Sequence, residues 1–402
     1  MKGSTCKAVD KMRTISFSQA TLEAMQEEMA RDEKVFVMGE DIVRQGGIFG
    51  QFKGLPEKFG TERVMDTPIS ETAIVGACVG AALAGMHPVA DMHFADFAGV
   101  CFDEIYNQMA KIYYMFGAQK PVSMVLRAPD GLVNQAAAQH SQSLEAFFMH
   151  IPGLKVVIPS NPADAKGLLK AAIREDNPII YFEHKALFSM KGEVPEEEYL
   201  TPIGKAKVVK EGSDVTLVSY SMTMNLCVKA AELLAKDGIS AELIDLRTIS
   251  PLDKETILES VAKTTRLAIA HEAVKQGGVA EDRESVDSVG RDALHAVAQS
   301  EQVECCTIGA SQARAGGQND GQRFRLAFER GQLGADEQPA EKGRVRRGLA
   351  TPEKLSRSHL EQRRWQGRVC SFDNAFTERL CQRIEWPRRR FRPLWQRSGR
   401  VP

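Results

Sequence analysis

From Ile15 to Glu183 the chain alternates amphipathic helical patterns with short apolar runs, the alternation expected of a parallel sheet covered by helices on both faces. The first helix reads from Ser18 to Arg31, with Leu22, Met25 and Met29 on one face. Strands are predicted at Val35–Met38, Arg63–Asp66, Val89–Phe94, Val122–Arg127, Lys155–Ile158 and Ile179–Glu183. Between them, helices begin near Ser70, Phe97, Ser143 and Asn161. The last opens Asn-Pro-Ala-Asp, an N-cap followed by Pro at the first helical position. A polar segment, Lys191–Pro202, breaks the periodicity and reads as a linker. A second, smaller series follows: a strand at Val215–Ser219, a helix from Met222 to Lys236, a strand at Ala241–Leu246, a helix from Asp253 to Ala262 and a strand at Leu267–His271. The expected division is an extension over residues 1–14, an α/β domain over 15–190, a linker over 191–204, an incomplete second α/β domain over 205–280 and a segment of different character over 281–402. No internal repeat is evident.

The difference in that last segment is compositional. The 402 residues sum to a formal charge of −1, but the chain up to Ala280 carries 29 basic and 36 acidic residues and the rest 23 and 17. The two parts are therefore at −7 and +6. The first uses 21 Lys and 8 Arg, the second 2 Lys and 21 Arg, and all three Trp lie in the second. Beyond Gln299 the chain is rich in Arg, Gln and Gly, with no apolar run long enough for a central strand. The longest uncharged apolar stretch, Ala73–Met86, has 14 residues against the roughly 20 needed to span a bilayer, so no membrane partner is expected. Residues 1–14 lack the apolar core and cleavage site of a secretory signal. The eight Cys form no metal-type or redox pair, and with disulfides not expected a reducing cytoplasm fits best.

Three segments carry candidate chemistry. In Asp66-Thr-Pro-Ile-Ser-Glu71 a strand ends and a small-residue helix begins, with Ser70 as candidate N-cap. Glu71 is either a capping carboxylate, favoured there by the helix dipole, or a buried acid at the carboxyl end of a parallel strand, where α/β enzymes place ligands. His140, in Ala138-Gln-His-Ser-Gln142, is a surface histidine or an acid, base or hydrogen-bond donor. His93, in Asp91-Met-His-Phe-Ala-Asp-Phe97, falls at a strand end, where alternation puts it on the side of Asp91; an ordinary packed histidine is the alternative. Gly46-Gly47-Ile-Phe-Gly50 matches neither a dinucleotide fingerprint nor a Walker loop and reads as a mobile active-site or surface loop. No Gly-Asp-Gly motif of the kind that holds a magnesium diphosphate occurs, and the His residues show no metal-ligand spacing.

These blocks, with Pro152-Gly-Leu-Lys-Val-Val-Ile-Pro159, Asp164-Ala-Lys-Gly-Leu168 and Ile244-Asp-Leu-Arg-Thr248, resemble in order the beta subunit of the thiamine-diphosphate-dependent 2-oxo acid dehydrogenase component. The resemblance runs from Ile15 to Val279. Tyr113-Tyr-Met-Phe-Gly117, Glu183-His-Lys185 and Gly192-Glu-Val-Pro-Glu-Glu197 look most like the acetoin dehydrogenase branch. It implies two transketolase-like parallel-sheet domains, the first binding the cofactor's pyrimidine. Glu71 would face that ring, where a carboxyl bonded to the ring nitrogen favours the tautomer that deprotonates the thiazolium carbon. Phe97 would stack on the pyrimidine, Ile69 would line the pocket, and His93 would stand where relatives often carry Gln. His140 would approach the substrate. The magnesium and diphosphate site would lie on an alpha subunit, in an α2β2 heterotetramer docked on a dihydrolipoyl acyltransferase core. The implied reaction is acetoin cleavage with acetyl-level transfer to a lipoyl acceptor, with oxidative decarboxylation of pyruvate or branched 2-oxo acids as the alternative and a non-catalytic interaction protein as the reading from another class.

The resemblance stops where composition changes, after Gly277-Gly278-Val279. A shift of reading frame there accounts for both changes at once, and it requires a family-like continuation in another frame downstream of codon 279. A genuine basic tail is the other reading. Nucleic acid is not an expected partner, although a tail at +6 would be the part to bind phosphates.

Overall fold

A computed structural model describes residues 11–132, 136–274 and 277–279, together with the backbone of four strand segments further on. The expectations placed on the residues before Lys11, and on the nature of the segment after Val279, lie outside the described residues.

In chain order the first unit runs β1 (Met12–Ser16), α1 (Phe17–Arg31), β2 (Val35–Gly39), α2 (Leu55–Phe59), β3 (Val64–Asp66), α3 (Glu71–Leu83), β4 (His87–Asp91), α4 (Ala110–Met115), β5 (Val125–Asp130), α5 (Glu145–Met149), β6 (Lys155–Val157), α6 (Pro162–Ile173), β7 (Ile179–His184) and β8 (Lys191–Pro195). The second runs β9 (Lys207–Lys210), β10 (Val215–Ser219), α7 (Ser221–Lys236), β11 (Ala241–Asp245), β12 (Thr248–Ser250), α8 (Lys254–Thr264) and β13 (Arg266–His271). Backbone strands β14 (Glu304–Ser311), β15 (Arg323–Ala327), β16 (Arg330–Gly331) and β17 (Cys370–Ser371) follow, β14 parallel to β13. A strand beyond Gln299 was not expected from the lack of an apolar run.

The first sheet has the order β3-β2-β4-β5-β7-β6, all parallel, and β12 of the second unit adds to its edge antiparallel to β6. The second sheet is built on β9-β11-β10-β13. Strands covered on both faces need no polar alternation. β5, β7, β10 and β11 are accordingly buried at every position.

One face of the first sheet carries α1 and α6, whose Met25, Met29, Leu168 and Leu169 pack on Val35, Val37 and Tyr181. Each such side chain contributes about 1.5–3 kcal/mol when fully buried. Helix α1 starts one residue before the predicted Ser18, because Ser16 Oγ accepts the Gln19 N–H at 3.1 Å. The Asn161 cap of α6 forms as predicted, its side chain accepting the Asp164 N–H at 2.9 Å. Lys166 and Lys170 lie buried between the two helices with their ammonium groups each 2.6 Å from Glu27. The other face packs α3 and the chain around α4 into a core shared with Val218, Ile244 and Ile257 of the second unit.

Three local features depart from the pattern reading. The first residues of the predicted linker form β8, an exposed-edged ribbon with β1, in register Ile15 to Gly192. Strand β4 ends at Asp91, and His93 sits at φ 64°, so alternation does not set its direction. Ser70 occupies the N-cap position of α3, but its hydroxyl makes no cap bond and instead donates to the Pro68 carbonyl at 3.3 Å.

Candidate active site

Because β2, β3, β4 and β5 are parallel, their carboxyl ends gather Asp66, the last residue of β3, and residues that follow the other strands: Glu40, His93, Gly131, Leu132 and residues 136–142. This is the edge at which open α/β sheets bind ligands. Asp66 organises the floor, accepting the Val43 N–H at 2.6 Å and the Arg44 N–H at 3.3 Å. Gly46, Gly47 and Gly50, all at positive φ, fold the adjoining loop back on itself through Gly47 N–H to Asp41 O and Phe52 N–H to Gly46 O. That glycine loop brings Phe49 onto Phe188, with rings stacked at 4.6 Å, and edge-on to Phe94 at 6.2 Å.

Glu71 is the first residue of α3 and is 8 % exposed. Glu40, directly after β2, is likewise buried, with Oε1 lacking any hydrogen-bond partner. Burial, and then the charges of Glu71 and Asp41, raise the Glu40 carboxyl above its ordinary range.

His93 and Phe97 flank Phe94 in the chain, and His140, 46 residues further on, meets them there. The Phe94 ring lies 5.3 Å from His93, 5.5 Å from Phe97 and 4.8 Å from His140, and Phe97 lies 5.2 Å from His140. The last three contacts are edge-to-face. Nδ1 of both histidines is buried without a partner. Burial lowers the His93 pKa, against Asp41 and the Glu40 carbonyl, which raise it. Asp96 accepts the backbone and side-chain N–H groups of Gln142 at 3.2 and 2.8 Å, so the turn bearing Phe97 is tied to the loop bearing His140. Ile69 stands apart on the open side, 82 % exposed.

Beneath this cluster Asp91 is almost fully buried, and burial, opposed by Arg127 and reinforced by Glu183, pushes its carboxyl up to about 7. Arg127 and Glu183 pair at 2.7 and 2.8 Å. Pattern reading missed Glu40, Phe94 and Asp96. The signal for Glu40 was available, since Gly39-Glu40-Asp41 follows the apolar run Val35–Met38.

The fold and this site define a pair of transketolase-type units. Residues 13–190 match the transketolase pyrimidine-binding domain and residues 204–296 the transketolase C-terminal domain. A solved split-gene transketolase, an inactive beta4 tetramer, superposes with a TM-score of 0.60 at 22 % identity, over 75 % of this chain and 91 % of that one. The chain belongs, more narrowly, to the family of thiamine-diphosphate-dependent dehydrogenase beta subunits. It is 50 % identical over 280 residues to the acetoin:2,6-dichlorophenolindophenol oxidoreductase subunit beta of Cupriavidus necator, covering 67 % of this chain and 82 % of that one. With the 2-oxoisovalerate dehydrogenase subunit beta of Bacillus subtilis it shares 49 % identity over the same shares of each chain. The pyruvate dehydrogenase E1 component subunit beta of Rickettsia felis is 47 % identical, over 66 % and 81 %. Among the described residues no helix is long and apolar enough to cross a membrane.

Proposed function

We propose that the chain supplies the pyrimidine-binding half of a thiamine-diphosphate site in an acetoin-cleaving dehydrogenase component, working in the cytoplasm. The observation that carries this reading is the meeting of His93, Phe97 and His140 around Phe94, with Nδ1 of both histidines buried and unpartnered, at the carboxyl end of the sheet. The donor set fits an aminopyrimidine. Glu40 Oε1, His93 Nδ1 and His140 Nδ1 are buried and unpartnered, and the aromatic rings offer an apolar wall. The bound cofactor would supply the carbanion that adds to the substrate carbonyl and stores its electrons.

Glu71 would then hold a proton at a ring nitrogen, with the buried Glu40 directly after β2 as a further acid of the pocket. Phe97 and Ile69 would pack on the ring. His93 would close the pocket beside Glu40, and His140 would donate to the substrate-derived oxygen. The magnesium and diphosphate site would lie on an alpha subunit. An open side supports that division: next to Ile69 the exposed face of α3 is Thr72, Ala73, Ala77 and Gly80, continued by exposed Val100, Phe102, Tyr106 and Tyr114. An apolar surface of this kind marks a contact between proteins. An α2β2 assembly that docks on a dihydrolipoyl acyltransferase core would then pass the two-carbon unit to a lipoyl arm.

His140→Ala is expected to slow transfer to the lipoyl acceptor by roughly 10²–10⁴-fold, the range of a single acid-base group, with cofactor affinity changed little. Equal losses in both would make His140 a structural residue. Co-expression with the neighbouring alpha subunit, followed by thiamine-diphosphate-dependent dye reduction on acetoin, pyruvate and 2-oxoisovalerate, tests the substrate. Acetoin should turn over fastest. The relative named for 2-oxoisovalerate makes the branched 2-oxo acid the second reading, and preference for it or for pyruvate would replace the first.

A further inference from the structure

We propose that Glu272 is a positioning residue for His140, clamping from the second unit the neck of the loop that carries this histidine. The inference rests on the reading of His140 given above.

Glu272 directly follows β13 and is buried where the two units meet. Its two oxygens bind the first unit at two points, the start of the loop and the end of β7. Oε1 accepts the Leu132 N–H at 2.6 Å, and Oε2 lies 2.9 Å from His184 Nε2. His184 Nδ1 accepts the Ala186 N–H at 3.1 Å, which leaves Nε2 as the protonated nitrogen that donates to Glu272. Burial raises the Glu272 pKa, but His184 and the Leu132 N–H outweigh it, so the carboxylate stays ionised and its bonds are charge-assisted.

The same neck is closed across the loop by Gly131 N–H to Gln142 O at 3.0 Å, two residues beyond His140. Gln142 in turn is held by Asp96, next to Phe97. Gly131 is required by this arrangement: it sits at φ 77°, and a Cβ there would stand 2.1 Å from His184 Nε2. A carboxylate on the second sheet thus fixes one end of a short rigid path, Leu132 to Gly131 to Gln142, whose other end sets the ring of His140 against Phe94 and Phe97. The pattern reading assigned Glu272 nothing, and no residue of the proposed chemistry touches it.

The test uses the complex with its alpha subunit. Glu272→Ala should reduce kcat for transfer to the lipoyl acceptor on the order of 10–100-fold, since a displacement of about 1 Å costs that much, with KM and thiamine-diphosphate affinity within about twofold. In a His140→Ala background the same change should add nothing. Glu272→Gln, which keeps an acceptor for the Leu132 N–H, should recover part of the rate and serves if the alanine variant does not fold. Amide exchange at Leu132 should quicken in both variants. Losses that multiply in the double variant, or an unchanged transfer rate in Glu272→Ala while His140→Ala is slow, would overturn the clamp alone. If His140→Ala itself transfers normally, the role of His140 and the clamp fall together, and exchange at Leu132 still reports whether the contact holds the neck.

Discussion

Glu71→Gln in the complex with its alpha subunit is expected to lower thiamine-diphosphate-dependent turnover about 10³-fold, within the range for loss of one acid-base group, while the fold survives. The two halves of this result have separate causes. Glu71 is the first residue of α3, and Gln has the same shape, so the amide leaves no hole. A carboxylate in a first helical turn contributes only about 0.3–1 kcal/mol through the helix dipole. Against that loss stands a relief, because the Glu71 charge is one of the causes that raise the Glu40 pKa. An acid whose folded pKa lies above its unfolded value destabilises the folded state as pH rises between the two. In Glu71→Gln that upward shift is smaller, so the variant should lose less stability than the parent as pH rises above the unfolded value of 4.5. Chemical denaturation at pH 5 and pH 7 together with steady-state turnover checks both. Turnover within tenfold of the parent would remove Glu71 from the chemistry, and a collapse of stability would make it a structural acid.

How much of this was legible in the chain depended on whether the cause was local. Parallel strands buried on both faces are nearly continuous apolar runs, which is why Ile179–His184, Val215–Ser219 and Ala241–Asp245 stand out in the sequence. The ribbon of Lys191–Pro195 and the edge strand Lys207–Lys210 do not, because exposed strands need no apolar residues and these carry Lys, Gly, Glu and Pro. The site divides the same way. Glu71 and His140 lie at a strand-to-helix turn and in a loop of unusual polar residues, both visible as motifs. Phe94 and Glu272 look ordinary, since what makes one the hub of the aromatic cluster and the other the anchor of a loop is contact with residues 46 and 140 positions away. The rule that ligands bind at the carboxyl ends of parallel strands reaches Glu40, Asp66, Asp91, Asp130, His184 and Glu272 alike. What separates them is contact: Glu272 accepts the Leu132 N–H at the neck of the His140 loop, while Glu40 is buried with an unpartnered oxygen and feels the Glu71 charge.

Arg127→Met is expected to be the most destabilising single change in the first unit, costing about 3–5 kcal/mol, the usual result of removing one partner from a buried ion pair. Arg127 and Glu183 are both fully buried, joined by two bonds of 2.7 and 2.8 Å, with the guanidinium 4.7 Å over Phe52 and within 3.3 Å of Thr21 Oγ1. Met fills much of the volume but leaves the Glu183 carboxyl without its partner and Asp91 without the cation that lowers its pKa. A total stability of about 5–15 kcal/mol absorbs such a loss only in part. The companion change Glu183→Leu, made in the Arg127→Met background, should restore most of it, since a buried pair replaced by apolar groups is often neutral. The double-variant cycle should therefore show strong coupling.

The pH dependence identifies the second carboxyl. In the parent, the Asp91 pKa of about 7 against an unfolded value of 3.8 makes the folded state lose stability as pH rises through that interval. Without Arg127 the folded value climbs, so the loss in Arg127→Met should deepen and continue above pH 7, and acidification to about pH 5 should rescue the variant. Denaturation midpoints across that range measure it. The same measurement in Arg127→Met/Glu183→Leu, where the orphaned Glu183 carboxyl is gone, isolates Asp91; a pair equally stable at both ends would mean that Asp91 does not depend on Arg127. The position of Asp91 ties the result to the site, because Met92 N–H bonds the Arg127 carbonyl at 2.9 Å and the chain then turns through His93 at positive φ to Phe94. Loosening this floor should therefore also reduce turnover in the assembled enzyme, and to a smaller degree in the Arg127→Met/Glu183→Leu pair than in Arg127→Met alone.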